Sequence, residues 1–145
     1  MRTLAGHTGP VAGAWFLPGG RQVVSHAADN TLRVWDVERG QEVRRHGLAA
    51  DHCALNWLAP TPDGRGFLTN HQDLTVRWHD LATGRELQRV KVPPGASPQG
   101  LSVSPDGRHA ADGSWRGFVY LFRLADREGA QPDKPQKQAE SSPGR

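Results

Sequence analysis

The sequence predicts an all-β chain of short strands, gathered into small antiparallel sheets that repeat along the chain. Three observations carry that expectation. A Pro-x-Gly-Arg turn occurs three times at nearly constant spacing, short alternating runs flank each copy, and no window shows a helical face of three or four turns. Glycine (17) and proline (11) are also frequent for 145 residues, as many tight turns require.

The turns are Pro18-Gly19-Gly20-Arg21, Pro62-Asp63-Gly64-Arg65 and Pro105-Asp106-Gly107-Arg108, so their prolines lie 44 and 43 residues apart. Proline presets the first turn dihedral, and glycine supplies backbone freedom at its end. The stretch Asp29–Gly40 organises the period. Asp29-Asn30 signals a tight turn, and Thr31–Trp35 then alternates, with Leu32 and Val34 on one face and Arg33 and Trp35 on the other. Asp36 ends the strand, and Glu38-Arg39-Gly40 turns the chain again. Bulky residues on both faces suit a sheet covered on both sides. The same strand recurs as Thr75–Asp80 and more loosely as Phe118–Arg123. Four short strands per period point to radial repetition of small sheets, a β-propeller.

Gly6-His7 followed by Trp35-Asp36, the turn Ser104-Pro105-Asp106-Gly107 and the repeat period together resemble the WD40-repeat family, over about Arg2 to Leu124. The resemblance implies WD40-type β-propeller blades, here three four-stranded antiparallel sheets of an incomplete propeller. Arg2–Ala5 becomes an orphan outer strand. The first blade, about 10–46, uses Val11–Leu17, Arg21–His26, Thr31–Asp36 and Gln41–Arg45. The second, about 52–91, uses His52–Ala59, Gly66–Asn70, Thr75–Asp80 and Arg85–Val90. The third, about 98–124, uses Gln99–Ser104, His109–Gly113 and Phe118–Leu124 and finds no fourth strand, because the tail, 126–145, is too polar to bury a core and is expected to be disordered. Three blades are fewer than the usual 4–8. The chain is therefore expected to be a piece of a longer protein or to associate with copies of itself.

The resemblance also implies a structural tetrad of His7, Ser25, Asp29 and Trp35, in which indole, hydroxyl, imidazole and carboxylate form a buried chain of donors and acceptors. Serine, histidine and aspartate together also invite a hydrolase reading. No nucleophile-elbow sequence surrounds Ser25, and a tryptophan closes the network, so no catalytic residue is assigned. The second repeat keeps Thr69 and Asp73 but places His79 where tryptophan is expected, with Trp78 shifted by one and His52 as a substitute entry histidine. The third has Asp112, Arg116 and Phe122 at the Ser/Thr, Asp and Trp positions. Losing tetrads there is expected to cost each blade about one or two net hydrogen bonds.

His46, His52, His71 and His79 lack the spacing that puts two histidines on one metal, so no metal is expected and they read as scattered surface or turn residues. Trp57 and Trp78 read as blade packing. Trp115 sits with Arg116 and Gly117 in a turn that needs no core indole, and an exposed Trp beside an Arg has the composition of a protein-binding hot spot.

Eighteen basic and 15 acidic residues are interspersed, giving a net charge of +3 with no Lys/Arg run, which argues against a nucleic-acid partner. Cys53 is the single cysteine, so neither an intrachain disulfide nor a cysteine-based zinc site forms. No signal-peptide pattern opens the sequence and no stretch reaches membrane-spanning length, so a cytoplasmic setting without membrane contact is expected. No cofactor motif appears. The expected function is a non-catalytic scaffold that binds a protein or peptide. The alternative is the regulatory C-terminal part of a larger bacterial enzyme, such as a WD40-containing protein kinase, whose catalytic signature is not in these residues.

Overall fold

Strands that carry bulky side chains on both faces need cover on both sides, and three sheets standing side by side provide it. The structure, a computed structural model, describes residues 1–48, 55–94 and 98–125. The first sheet joins β1 (Val11–Phe16), β2 (Gln22–Ala27), β3 (Thr31–Asp36) and β4 (Gln41–Gly47) in sequence order. The second joins β5 (Leu55–Pro60), β6 (Gly66–His71), β7 (Thr75–Asp80) and β8 (Glu86–Lys91) in the same order. The third joins β9 (Pro98–Val103), β10 (His109–Ser114) and β11 (Val119–Arg123). Every pairing is antiparallel.

The fold is the expected all-β array, with one difference from the four-strand pattern. Among the described residues the third sheet has three strands. Arg2–Ala5 enters no sheet; the Arg2 guanidinium instead donates to the carbonyls of Val37 and Glu38 at the β3–β4 turn. The expected tail, 126–145, and the start of the His52–Ala59 strand lie outside the described residues.

The repeated turns are built alike. Gly64 and Gly107 have φ of 68° and 71°, a left-handed backbone that a Cβ disfavours. Asp63 accepts from the Thr61 hydroxyl and the Arg65 amide, and Asp106 accepts from Ser104 and Arg108 in the same way. The β2–β3 turn also passes through left-handed backbone, at Asn30 (φ 58°). The matching β6–β7 turn does so at Leu74 (φ 60°), where a side chain other than Asn, Asp or Gly costs about 1–2 kcal/mol.

Two apolar cores lie between the sheets. Val24, Leu32 and Val34 of the first sheet meet Leu58, Phe67 and Leu81 of the second. Leu68, Val76 and Trp78, from the other face of the second sheet, meet Leu101, Ala110 and Leu124 of the third. The second sheet is thus buried on both faces, and every residue of β6 is buried. Replacing Leu58 or Leu68 by alanine should each cost about 2–5 kcal/mol. Denaturant unfolding should stay a single transition for both, because the two cores share one sheet; two separated transitions in either variant would contradict that sharing.

Candidate functional site

The N-terminal segment lies against the first sheet through a close approach at Gly6. A Cβ there would sit 2.7 Å from Arg33 Nη1 and 3.1 Å from Trp35 Cη2. His7 follows and enters a polar network. Trp35 Nε1 donates to Ser25 Oγ at 2.8 Å, and His7 Nε2 lies 2.8 Å from the same oxygen. His7 Nδ1 lies 3.0 and 3.2 Å from the two Asp29 oxygens. Because the indole N–H must donate, the Ser25 hydroxyl proton is free to go to His7 Nε2, leaving Nδ1–H to donate to Asp29.

Ser25, His7 and Asp29 therefore show the bond order of a hydrolytic triad. What differs is access. Ser25 is buried and its oxygen is flanked by two rings, so a substrate carbonyl has no approach to it. Asp29 also does more than orient an imidazole. It accepts from the Thr8 amide, from the Thr31 amide and hydroxyl, and from Arg33 Nη2 at 3.3 Å. Burial opposes ionisation, but the bonds from Thr8, Thr31 and His7 outweigh it and hold the carboxyl well below the ordinary range. Arg33 is itself buried, spanning Asp29 and Glu42, the latter at 2.8 Å.

The second sheet repeats this scheme with different residues. The Thr69 hydroxyl sits between His71 Nε2 at 2.9 Å and His79 Nε2 at 3.2 Å. Asp73 accepts from the Thr75 amide and hydroxyl and, at 2.7 Å, from Arg77, which is buried like Arg33. Burial opposes it, yet Thr75 and Arg77 lower the Asp73 carboxyl to about 2. This corrects the reading of His71 and His79 as surface residues. Both are buried, because Thr69 needs ring partners and His79 stacks on Phe67 with centroids 4.8 Å apart. His46 is no free surface group either; its Nε2–H donates to the Leu81 carbonyl and ties the first sheet to the second. His52 lies outside the described residues. Arg33 and Arg77 are the partners that sequence reasoning missed. The signal was an Asp-x-Thr-x-Arg pattern at Asp29/Thr31/Arg33 that recurs at Asp73/Thr75/Arg77.

The third sheet has no such network at Arg116 and Phe118. Its Asp112 is fully buried and accepts from the Asn70 amide of the second sheet at 3.3 Å. Asp112 Oδ2 and Asn70 Oδ1 have no hydrogen-bond donor. Burial pushes the Asp112 carboxyl up to about 6. A protonated Asp112 brings the single O–H that this pair of acceptors lacks.

Trp115 and Arg116 stand at the β10–β11 turn, both exposed, with 77% of Trp115 accessible. Phe118 beside them is exposed as well. Trp78 packs in the second core, but Trp57, just after the bulge in β5, is 43% accessible, which corrects its reading as packing. Among the described residues no group of three or more His, Cys, Asp or Glu side chains is placed to hold a metal ion.

Comparison with known proteins fits this architecture. The family model described as "WD domain, G-beta repeat" matches residues 1–36, the span that contains His7, Ser25, Asp29 and Trp35. The chain is 32% identical over 100 residues to the nuclear distribution protein PAC1 of Arthroderma otae, covering 63% of this chain and 21% of that protein. It is 30% identical over 129 residues to the WD repeat-containing protein 26 homolog of Arabidopsis thaliana, covering 87% and 20%. This is a WD40-repeat chain. Its similarity to pre-mRNA-processing factor 19 of Bos taurus is 29% over 131 residues, covering 88% of this chain and 25% of that protein. The WD40 array thus spans about a fifth to a quarter of the length of these relatives.

Two predictions follow from the polar groups of this WD40 array. Trp35→Phe keeps an aromatic ring but strips Ser25 of its indole donor, and should lower stability by about 1–3 kcal/mol; an unchanged denaturant midpoint would show the network to be unimportant. The second concerns pH. Asp112 is raised from 3.8 to about 6, so its contribution is complete below pH 3.8 and is lost as pH rises through 6. His79 is lowered by burial from 6.5 to about 4, so its contribution is complete above pH 6.5 and is lost as pH falls toward 4. The two oppose each other between pH 4 and 6. Asp112→Asn should therefore stabilise the protein above pH 7, by at most about 3 kcal/mol, and make stability climb more steeply with pH between 4 and 6. Melting temperatures across the pH range check this, and a profile parallel to wild type would contradict it.

Proposed function

We propose that the chain is a non-catalytic interaction array whose β10–β11 turn binds a protein or peptide through Trp115 and Arg116. The exposure of Trp115 is the observation that carries the reading. A large indole held in water beside an arginine, on a turn fixed by the paired strands β10 and β11, has the make-up of an interface anchor. Phe118 extends the apolar surface, and Gly117, with φ of 81°, lets the turn close tightly beneath it. The sheets behind supply rigidity, since their polar groups are largely engaged with one another. The same surface serves equally in a segment that regulates a larger enzyme, the reading in which a kinase domain lies elsewhere in a longer protein.

Selection of a displayed random-peptide library on the purified chain tests the proposal. Selected peptides should bind Trp115→Ala at least about thirtyfold more weakly, the loss that removal of a hot-spot residue brings. The melting temperature should not change, because the side chain is exposed. Peptides that bind wild type and Trp115→Ala equally would overturn the assignment.

A further inference from the structure

The chain makes one kind of contact twice, and each contact has two unlike halves. On the giving side, β-ladder register aligns Leu32 and Val34 of the first sheet with Val76 and Trp78 of the second. All four are buried against the following sheet. On the receiving side, register aligns Phe67 with Ala110, and both are buried against the preceding sheet. Leu81 and Leu124 match as well, each amide donating to the arginine carbonyl of the preceding Pro-x-Gly-Arg turn.

Two halves are left over. The giving face of the third sheet carries Val119 and Leu121 at the positions of Leu32 and Val34, and these are 69% and 76% accessible. The receiving face of the first sheet carries Val23 at the position of Phe67, with Phe16 paired to it and 67% accessible. Val37, whose amide donates to the Arg21 carbonyl, stands where Leu81 and Leu124 stand. One exposed face is therefore of the giving kind and the other of the receiving kind, and the same chain owns both.

We infer that these faces join two copies of this chain head to tail, the third sheet of one seated on the first sheet of the other. The occupant follows from the repetition: each open half already has its complement on the chain, in an apolar contact the fold builds twice over. Such a contact is heterologous, and two of them between two chains close a ring of six sheets, within the usual range of 4–8. The inference rests on the repeat geometry and not on the peptide-binding reading above, so each can fail without the other.

Sedimentation velocity on the full chain over a concentration series is the test. Wild type should be dimeric, and its melting temperature should rise with protein concentration. Leu121→Glu breaks the giving face and Phe16→Glu the receiving face, and each alone should give a monomer. Both sites are exposed, so circular dichroism should match wild type; Leu121→Ser and Phe16→Ser provide a milder pair should either glutamate variant misfold. The decisive sample is the equimolar mixture. One intact giving face and one intact receiving face remain in it, so a dimer should return. A wild type that stays monomeric at every concentration would overturn the inference. So would loss of the dimer in Leu121→Glu but not in Phe16→Glu, or a mixture that does not reassociate.

Discussion

A single carboxylate at the β2–β3 turn ties together three parts of the chain. Asp29 holds the entering segment through His7 and the Thr8 amide, fixes its own turn through Thr31, and shares with Glu42 the neutralisation of the buried Arg33. A buried cation is tolerable when it is paired and costly when its partner is removed. The arrangement also ties neighbouring strands together: Arg33 of β3 reaches Asp29 in its own turn and Glu42 on β4. Asp73 and Arg77 repeat the device in the second sheet. The aromatic end of the network then varies freely. Trp35 in one sheet and His79 in the other each reach a hydroxyl in β2 or β6, because a ring nitrogen at that point is all the hydroxyl requires.

The third sheet shows what the array does without this device. Where its predecessors have Ser25 and Thr69, it has Asp112, whose carboxyl meets an amide of the neighbouring sheet and not a ring of its own. Burial without a cation drives that group toward its neutral form, the opposite of Asp29. The contact also crosses a sheet boundary, so Asn70 and Asp112 add polar specificity to an otherwise apolar interface.

Much of this was legible in the sequence. The spacing of the three turns set the period, and Thr31–Asp36 and Thr75–Asp80 emerge as strands with the bounds read from their alternation. His7, Ser25, Asp29 and Trp35, far apart in sequence, lie within hydrogen-bonding distance along one line. Other features depend on three-dimensional facts that a pattern does not contain. Arg33 and Arg77 read as polar residues on an alternating strand, and their burial makes sense only once a carboxylate four residues earlier is seen to fold back on them. A strand that stops at Asn70 leaves His71 in the turn; β6 in fact runs one residue further, and that places the His71 ring beside Thr69. Trp57, which reads as packing, is 43% accessible at the start of the regular pairing of β5, and nothing in its composition marks that exposure.

The claim that a buried carboxylate–guanidinium pair governs the first sheet is tested most directly by a double-mutant cycle on Asp29 and Arg33. Asp29→Asn and Arg33→Met should each cost about 1–3 kcal/mol of stability, since each takes one charge-assisted bond from a buried partner that keeps its others, Glu42 for Arg33 and His7, Thr8 and Thr31 for Asp29. The double variant should lose clearly less than the two single losses added together, because the bond between the two side chains is lost only once. Additive losses would mean that the two side chains act independently, and the account of the sheet as built around their pairing would be wrong.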